Sequence, residues 1–91
     1  MNIDEVLKDR SKTHGDYKQV SKLTIEFLSI LISSPNWEFL SDTQKTGLIM
    51  VLHKITRILC GNKNEIDHYK DILGYTKLML LNIEQTLDLR D

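Results

Sequence analysis

Apolar residues recur three and four positions apart along three stretches of the chain. The stretches are DYKQVSKLTIEFLSILI, QKTGLIMVLHKITRILC and the segment that begins DHYKDILGY. This spacing gathers apolar side chains on one face of an α-helix. It predicts helices over about residues 14–33, 42–60 and 65–88, preceded by a short helix or arm over residues 2–10. No segment alternates apolar and polar residues as a half-buried strand does, so the predicted fold class is all-α.

Residues that favour helix starts and breaks flank these stretches. Thr13 in THGD is predicted to cap the first main helix, with Asp16 three residues later in the place of the usual Glu or Gln. Pro35 disfavours helical backbone at the residue before it, so this helix is predicted to end there. In SDTQ, Ser41 and Gln44 have the spacing of a reciprocal capping box, which predicts the start of the second helix.

The remaining boundaries are predicted from turn residues. Gly61 follows the second apolar stretch and is predicted to end that helix, and Asn64 is predicted to cap the third. Between the first two helices, NWEFL is predicted to form a short helical turn. Trp37 and either Phe39 or Leu40 are expected to plug the core from that turn.

The apolar residues spread further around the second and third helices than a single buried face requires. One stripe per helix is enough for a three-helix monomer. We therefore expect a small bundle of three main helices that is completed by oligomerisation, most simply as a homodimer. A larger ring is an alternative that the pattern does not distinguish.

Composition narrows the classes of partner and compartment. The 91 residues predict one domain over residues 1–91, and the net charge of −1 with no basic run excludes a duplex nucleic-acid footprint. Cys60 is the single cysteine, and the N-terminus MNIDEVLKDR is unlike a signal peptide. No apolar run is long enough to span a bilayer. These features predict a cytoplasmic protein that does not enter membranes.

Asp67 and Asp71 lie four residues apart, about one turn along the third helix. Like charges at this spacing repel, and a divalent cation or basic neighbours would relieve the repulsion. Mg²⁺ suits one or two carboxylates together with substrate phosphates, so the pair is a candidate metal site. The alternative is a solvated helix face. His68 adjoins Asp67 but points about 100° away, so the two are not expected to hold one metal together.

His53 and Arg57 lie one turn apart on the second helix, and the guanidinium of Arg57 suits phosphate or carboxylate. If the second and third helices pack antiparallel, Arg57 is expected near Asp67, and His53 near Asp71 or Tyr75. The geometry permits a structural salt bridge or a phosphate site.

Two further groups of side chains are weighed with them. Lys54 is expected to reach solvent, if necessary by laying its aliphatic stem along the surface. His14 and Asp16 flank Gly15 where the first main helix is predicted to begin, and helix N-termini attract anions. A simple helix cap is the alternative for this segment.

Three blocks, KTHGDY, SPNWEFLSDTQKTGLIMVLHKITRILCGN and DHYKDILGYTKL, together resemble a group of small helical proteins encoded mostly by phages and prophages. DHYKDILGY also resembles the carboxylate-bearing helix of the MazG-like all-α nucleoside triphosphate pyrophosphatases. That resemblance implies an oligomeric, Mg²⁺-dependent enzyme with Asp67 and Asp71 at the metal and Arg57 or Lys54 on phosphate. The chain differs in having HKITR where the family carries a second set of carboxylates.

These observations support three hypotheses of function. The first is a nucleotide pyrophosphohydrolase with Mg²⁺ at Asp67 and Asp71 and either His53 or Asp16 as the catalytic base. The second is a binding protein that sequesters a nucleotide or similar anion without turnover, with Tyr75 among the candidate ligand contacts. The third is an interaction protein that inhibits a host factor through a helical surface, in the host cytoplasm if the chain is phage-encoded.

Overall fold

A computed structural model describes the backbone of residues 2–90 and the side chains of residues 2–87. Its regular elements over that range are α1 (Ile3–His14), α2 (Tyr17–Ile32), a 3₁₀ turn (Trp37–Phe39), α3 (Asp42–Cys60) and α4 (Ile66–Arg90). The all-α prediction is confirmed for these residues, although four helices form where three main ones were expected. The predicted domain over residues 1–91 includes Met1 and Asp91, which lie outside the described residues.

The leading segment, predicted as a short helix or arm over residues 2–10, is a helix that continues to His14. Asn2 Oδ1 accepts a hydrogen bond from the Glu5 backbone N–H at 2.9 Å, which caps the start of α1. The helix continues through Thr13 and ends at His14, so Thr13 lies inside a helix and cannot be the predicted N-cap. Asn2 is a favourable N-cap residue with Glu5 three positions later, and this pattern in the sequence could have indicated the start of α1.

The chain then breaks for two residues before α2. Gly15 has a backbone φ of +92°, a conformation that residues other than glycine rarely adopt. Asp16 is the N-cap of α2, because its Oδ2 accepts from the Gln19 backbone N–H at 3.2 Å. The prediction of one helix over residues 14–33 was therefore wrong at its start, and Asp16 occupies the cap position itself.

Other boundaries agree more closely with the sequence. Ser41 Oγ accepts from the Gln44 N–H at 3.1 Å and Gln44 Oε1 accepts from the Ser41 N–H at 2.9 Å, so the capping box of α3 is confirmed. Gly61 directly follows the last residue of α3, as predicted. Asn64 does not sit at the cap position of α4, which begins two residues later at Ile66.

The 3₁₀ turn forms where NWEFL predicted it, but only part of it packs inward. Trp37 and Leu40 are half-buried, and Lys45 Nζ lies 5.8 Å from the Trp37 ring centroid. Phe39 is 78% exposed and does not plug the core.

α3 is the central helix and packs against each of the other three. Its most extensive packing is with α4, where a Cβ added at Gly47 would lie 2.5 Å from the Met79 side chain. Among the described side chains, the buried apolar core consists of Val20 and Leu52, and Thr56 is fully buried beside them. The interior of the isolated chain is therefore small.

The surface of the chain is correspondingly large. It exposes 7060 Å², whereas a folded monomer of this mass is expected to expose about 5,500 Å². Its Cα radius of gyration is 15.8 Å, against about 12 Å for a compact domain of the same length. Within the described residues, no helix has both the length and the apolar character needed to cross a membrane.

Candidate functional site

Two glycines bring the α1–α2 corner onto the turn between α3 and α4. A Cβ at Gly15 would lie 2.6–2.7 Å from Cys60, and a Cβ at Gly61 would overlap the backbone around Thr13. The Asn62 backbone N–H donates to the Thr13 carbonyl at 3.0 Å and ties the two segments together. The THGD and CGN segments, far apart in sequence, thus form one backbone-to-backbone contact.

This contact places two histidines side by side. The His14 and His68 ring centroids are 5.3 Å apart, with the ring planes inclined at 48°. His68 is 2% exposed, and its Nε2 lies 3.3 Å from the Thr13 carbonyl oxygen. A carbonyl can only accept, so Nε2 carries the proton in this hydrogen bond.

Basic side chains from three helices lie near enough to His14 for their charges to affect its pKa. Burial lowers the pKa of His14 below its ordinary value of 6.5, and the positive charges of Arg57, His68, Lys54 and Arg10 lower it further. The sequence had separated His14 from Arg57 by more than forty positions. We call Arg10, His14, Lys54, Arg57 and His68 the basic cluster.

One carboxylate is paired within the cluster. Lys54 Nζ lies 2.9 Å from Asp71 Oδ2, and the Lys54 side chain is only 13% exposed. This bond lowers the pKa of the Asp71 carboxyl below its ordinary value. Lys54 therefore does not simply reach solvent, and Lys54 rather than His53 is the partner of Asp71.

Arg57 differs from Lys54 in having no such partner. Among the residues whose side chains are described, neither Arg57 nor Asp67 takes part in an ion pair. The expected Arg57–Asp67 pair is thus not formed, and Asp67 is exposed. The guanidinium of Arg57 is half-buried and keeps its hydrogen-bonding capacity for another group.

His53 lies at the edge of the cluster, one turn before Arg57. Burial lowers the pKa of His53 below 6.5, and Arg57 and Lys54 lower it further. Its backbone carbonyl accepts a hydrogen bond from the buried Thr56 hydroxyl at 2.7 Å. At neutral pH the imidazole is therefore neutral.

The other predicted site residues are placed less centrally. Asp16 is exposed and caps α2 through its side chain. Tyr75 is half-buried and lines two adjoining open grooves, one beside Asp71 on α4 and one beside Thr46 on α3. Tyr75 is thus joined to the basic cluster only along the groove that begins at Asp71.

The described residues contain no group of three or more His, Cys, Asp or Glu side chains arranged to hold a metal ion. Asp71 is engaged by Lys54 and Asp67 faces solvent, so the two carboxylates do not by themselves make a resident magnesium site. Mg²⁺ commonly binds through one or two carboxylates and substrate phosphates together. A magnesium ion that arrives with a nucleotide thus stays a prediction.

Sequence reasoning missed the importance of His68. It was set aside as a neighbour of Asp67, yet it is the second most deeply buried polar residue of the described chain. Its spacing from Ile72, Tyr75 and Met79, four, seven and eleven residues later, places it on the face of α4 that packs on α3. That register was the available signal.

The chemistry of the cluster favours anion recognition. It combines a planar guanidinium, two imidazoles and partly buried positive charge, the groups that bind phosphate and carboxylate oxygens. A scan against protein-family models, a search of curated proteins and a search of solved structures each returned no match to this chain.

Proposed function

We propose that the protein binds a phosphate-bearing anion, most simply a nucleotide, at the basic cluster. The observation that carries this proposal is the convergence of basic side chains from α1, α3 and α4 around the His14–His68 contact, with Arg57 unpaired among the described carboxylates. Arg57 has no ion-pair partner among the described carboxylates, and a bound anion would supply the counter-charge that Asp71 supplies to Lys54.

The proposed ligand geometry follows from exposure. Arg57 and His14 are half-buried and supply the direct contacts, whereas His68 is buried and holds the His14 ring in place. Lys54 is already paired with Asp71, so no direct contact with the ligand is assigned to it. The open groove from Asp71 to Leu81, lined also by Tyr75, offers space of about 550 Å³ for the remainder of a nucleotide.

We propose binding rather than hydrolysis as the primary activity, because the cluster supplies cations where a pyrophosphohydrolase needs several carboxylates. If turnover occurs, neutral His53 is the better placed base than Asp16, whose side chain caps α2. If the chain is phage-encoded, such a binding protein would serve to sequester a signalling nucleotide or to manage the nucleotide precursor pool. The large exposed surface also supports assembly into a homo-oligomer.

The test measures binding of inorganic phosphate, pyrophosphate and nucleoside triphosphates, each with and without Mg²⁺. Calorimetry and thermal melting are the two measurements. A ligand at 100 times its dissociation constant raises the free energy of unfolding by about 2.7 kcal/mol. We expect Arg57→Gln to weaken binding about tenfold to a hundredfold, because a charge-assisted bond is lost. Lys22→Gln removes an exposed positive charge from α2 and serves as the matched control.

Two outcomes decide between the hypotheses. Nucleotide binding without release of pyrophosphate or phosphate supports the sequestering protein, and Mg²⁺-dependent release supports the hydrolase. Equal binding by Arg57→Gln and wild type, in folded proteins, would contradict the proposed site.

A further inference from the structure

α4 carries an apolar seam that the isolated chain leaves open. The seam repeats at alternating spacings of four and three residues and consists of Tyr69, Leu73, Thr76, Leu80, Ile83 and Leu87. Alternation of four and three is the pattern of the buried positions of a two-helix coiled coil. All six residues are exposed, and their apolar members range from 39% at Ile83 to 71% at Leu73.

The α4 seam is distinct from the face that α4 turns toward α3. That inner face includes His68, which is buried, and Met79, which meets Gly47 of α3. Leu78 lies two residues before Leu80 and therefore points about 160° away from the seam. The helix thus has an occupied inner face and an unoccupied apolar face beside it.

The apolar surface continues from the seam onto the neighbouring helices. Ile83 and Leu87 share an open groove with Gln44 of α3. One turn further along α3, Leu48 lines a second, almost wholly apolar groove with Phe27 of α2. The seam is therefore one edge of a surface that extends across three helices.

Two quantities bear on what covers this surface: the exposed area of the whole chain and the length of α4. The chain exposes about 1,500 Å² more than a monomer of its mass is expected to expose. Removing that excess from two chains would bury about 3,000 Å² in total, within the range of obligate homodimers. α4 has 25 residues against 19 in α3, so its C-terminal end extends about 9 Å beyond the helix on which it packs.

We propose that a second copy of this chain covers the α4 seam and that the two α4 helices pack antiparallel. The two-fold axis between them crosses the seam at the height of Leu78, on the side of the helix opposite to the Leu78 side chain. Such an axis sets Leu73 against the partner's Ile83 and Tyr69 against the partner's Leu87. On the outer flank, Lys70, Lys77 and Glu84 follow one another at seven-residue spacing. Antiparallel pairing brings Lys70 toward the partner's Glu84 twice and Lys77 toward the partner's Lys77 once, so these charges give two attractive contacts against one repulsive contact.

The first experiment measures the mass of the wild-type chain by sedimentation and light scattering across a range of concentrations. We expect a dimer, and we expect the double variant Leu73→Asp/Leu80→Asp to be monomeric because four carboxylates would enter the interface. Leu78→Asp is the matched control on the same helix, with Leu78 60% exposed and off the seam, and it stays dimeric. Circular dichroism at the same concentrations reports whether each variant keeps its helices.

The second experiment tests the antiparallel orientation of the two α4 helices with charge variants at exposed positions, which leave the fold of each chain unchanged. Lys70→Glu and Glu84→Lys alone each weaken the dimer by about tenfold, since two attractive contacts become repulsive. The double reversal Lys70→Glu/Glu84→Lys restores the wild-type dissociation constant. A wild-type monomer at the highest soluble concentration overturns the proposal. A dimer unaffected by the charge reversals overturns the antiparallel orientation. A dimer that survives Leu73→Asp/Leu80→Asp, or that is lost equally with Leu78→Asp, overturns the assigned surface.

Discussion

The two ends of the molecule are built on opposite principles. At the end where α1, α3 and α4 meet, backbone lies on backbone, glycines are required by space, and histidine and threonine are buried. At the other end, the C-terminal half of α4 exposes leucine and isoleucine on several sides. The first end is packed within one chain and holds the candidate anion site, whereas the second is the surface on which we propose that another chain packs.

The comparison shows why burial and hydrophobicity are poorly matched here. His68 is more deeply buried than any leucine of α4 among the described side chains, because it lies against Thr13 and His14 at the α1–α2 corner. Leu80 is 53% exposed despite lying on a regular apolar repeat. An apolar pattern specifies that a face will be covered, and it does not specify by which chain.

The largest expected effect comes from the small core between the ends. Leu52 is 6% exposed, and Leu52→Ala is expected to lower the free energy of unfolding by about 3 kcal/mol through lost burial and the cavity left behind. Urea denaturation measures the change. Leu78→Ala, at a position 60% exposed, should change stability by less than about 0.5 kcal/mol. Similar losses in both variants would contradict the described core.

At the packed end, Gly61→Ala is expected to lower the free energy of unfolding by about 2 kcal/mol, because its methyl group meets backbone rather than a movable side chain. The same variant should displace His14 and weaken phosphate binding. Urea midpoints and calorimetry with phosphate report the two effects. Unchanged stability would mean that the α1–α2 corner does not rest on the α3–α4 turn.

Gly74, in the N-terminal half of α4, should respond to the same substitution in the opposite direction. A Cβ added at Gly74 meets nothing within 4 Å, so Gly74→Ala is expected to raise stability by up to about 1 kcal/mol through helix propensity. Thermal melting at one fixed concentration of each protein measures the change. A loss of stability would place another chain or ligand against Gly74.

The smallest effect is a dependence of stability on pH that originates at the packed end. The pKa values of His14 and His53 are below 6.5 in the folded state, so the unfolded chain binds more protons as the pH falls through that value. The free energy of unfolding should therefore fall between about pH 7 and pH 5. His14→Asn should flatten this slope, and so should bound phosphate, which favours charged His14.

Urea midpoints at half-unit pH steps measure that slope in the wild type and in His14→Asn. The carboxyl of Asp71 contributes below this window, because its pKa lies under 3.8 and its stabilisation is lost only as the pH falls through the folded-state value. An equal slope in both proteins between pH 5 and pH 7 would show that His14 is not held among the positive charges.

Several features could be predicted from local sequence. The all-α class follows from spacings of three and four, and the Ser41–Gln44 capping box sets the start of α3 from four residues alone. The THGD segment was harder to interpret, because Thr13 and Asp16 are both good caps and either start is locally reasonable. Gly15, whose positive φ ends α1, decides between them.

The candidate site could be predicted only in part. His14, Arg57, Lys54 and Asp71 were singled out from their chemistry, but the Lys54–Asp71 ion pair and the contact of His14 with His68 were not predicted. His53 and Lys54 are neighbours on α3 that point about 100° apart, so the rotation of α3 about its axis decides which of them faces Asp71. Such a rotation is set by close packing, here by Met79 against Gly47.

The sequence by itself determined the elements, because periodicity, caps and helix-breaking glycines act over a few residues. It also determined that more apolar surface exists than one small bundle can bury. Only the tertiary structure decided that the α1–α2 corner lies on the α3–α4 turn and that His68 is buried beside His14. That contact joins residues about fifty positions apart, and it depends on the fit of two backbones at Gly15 and Gly61, which no local pattern records.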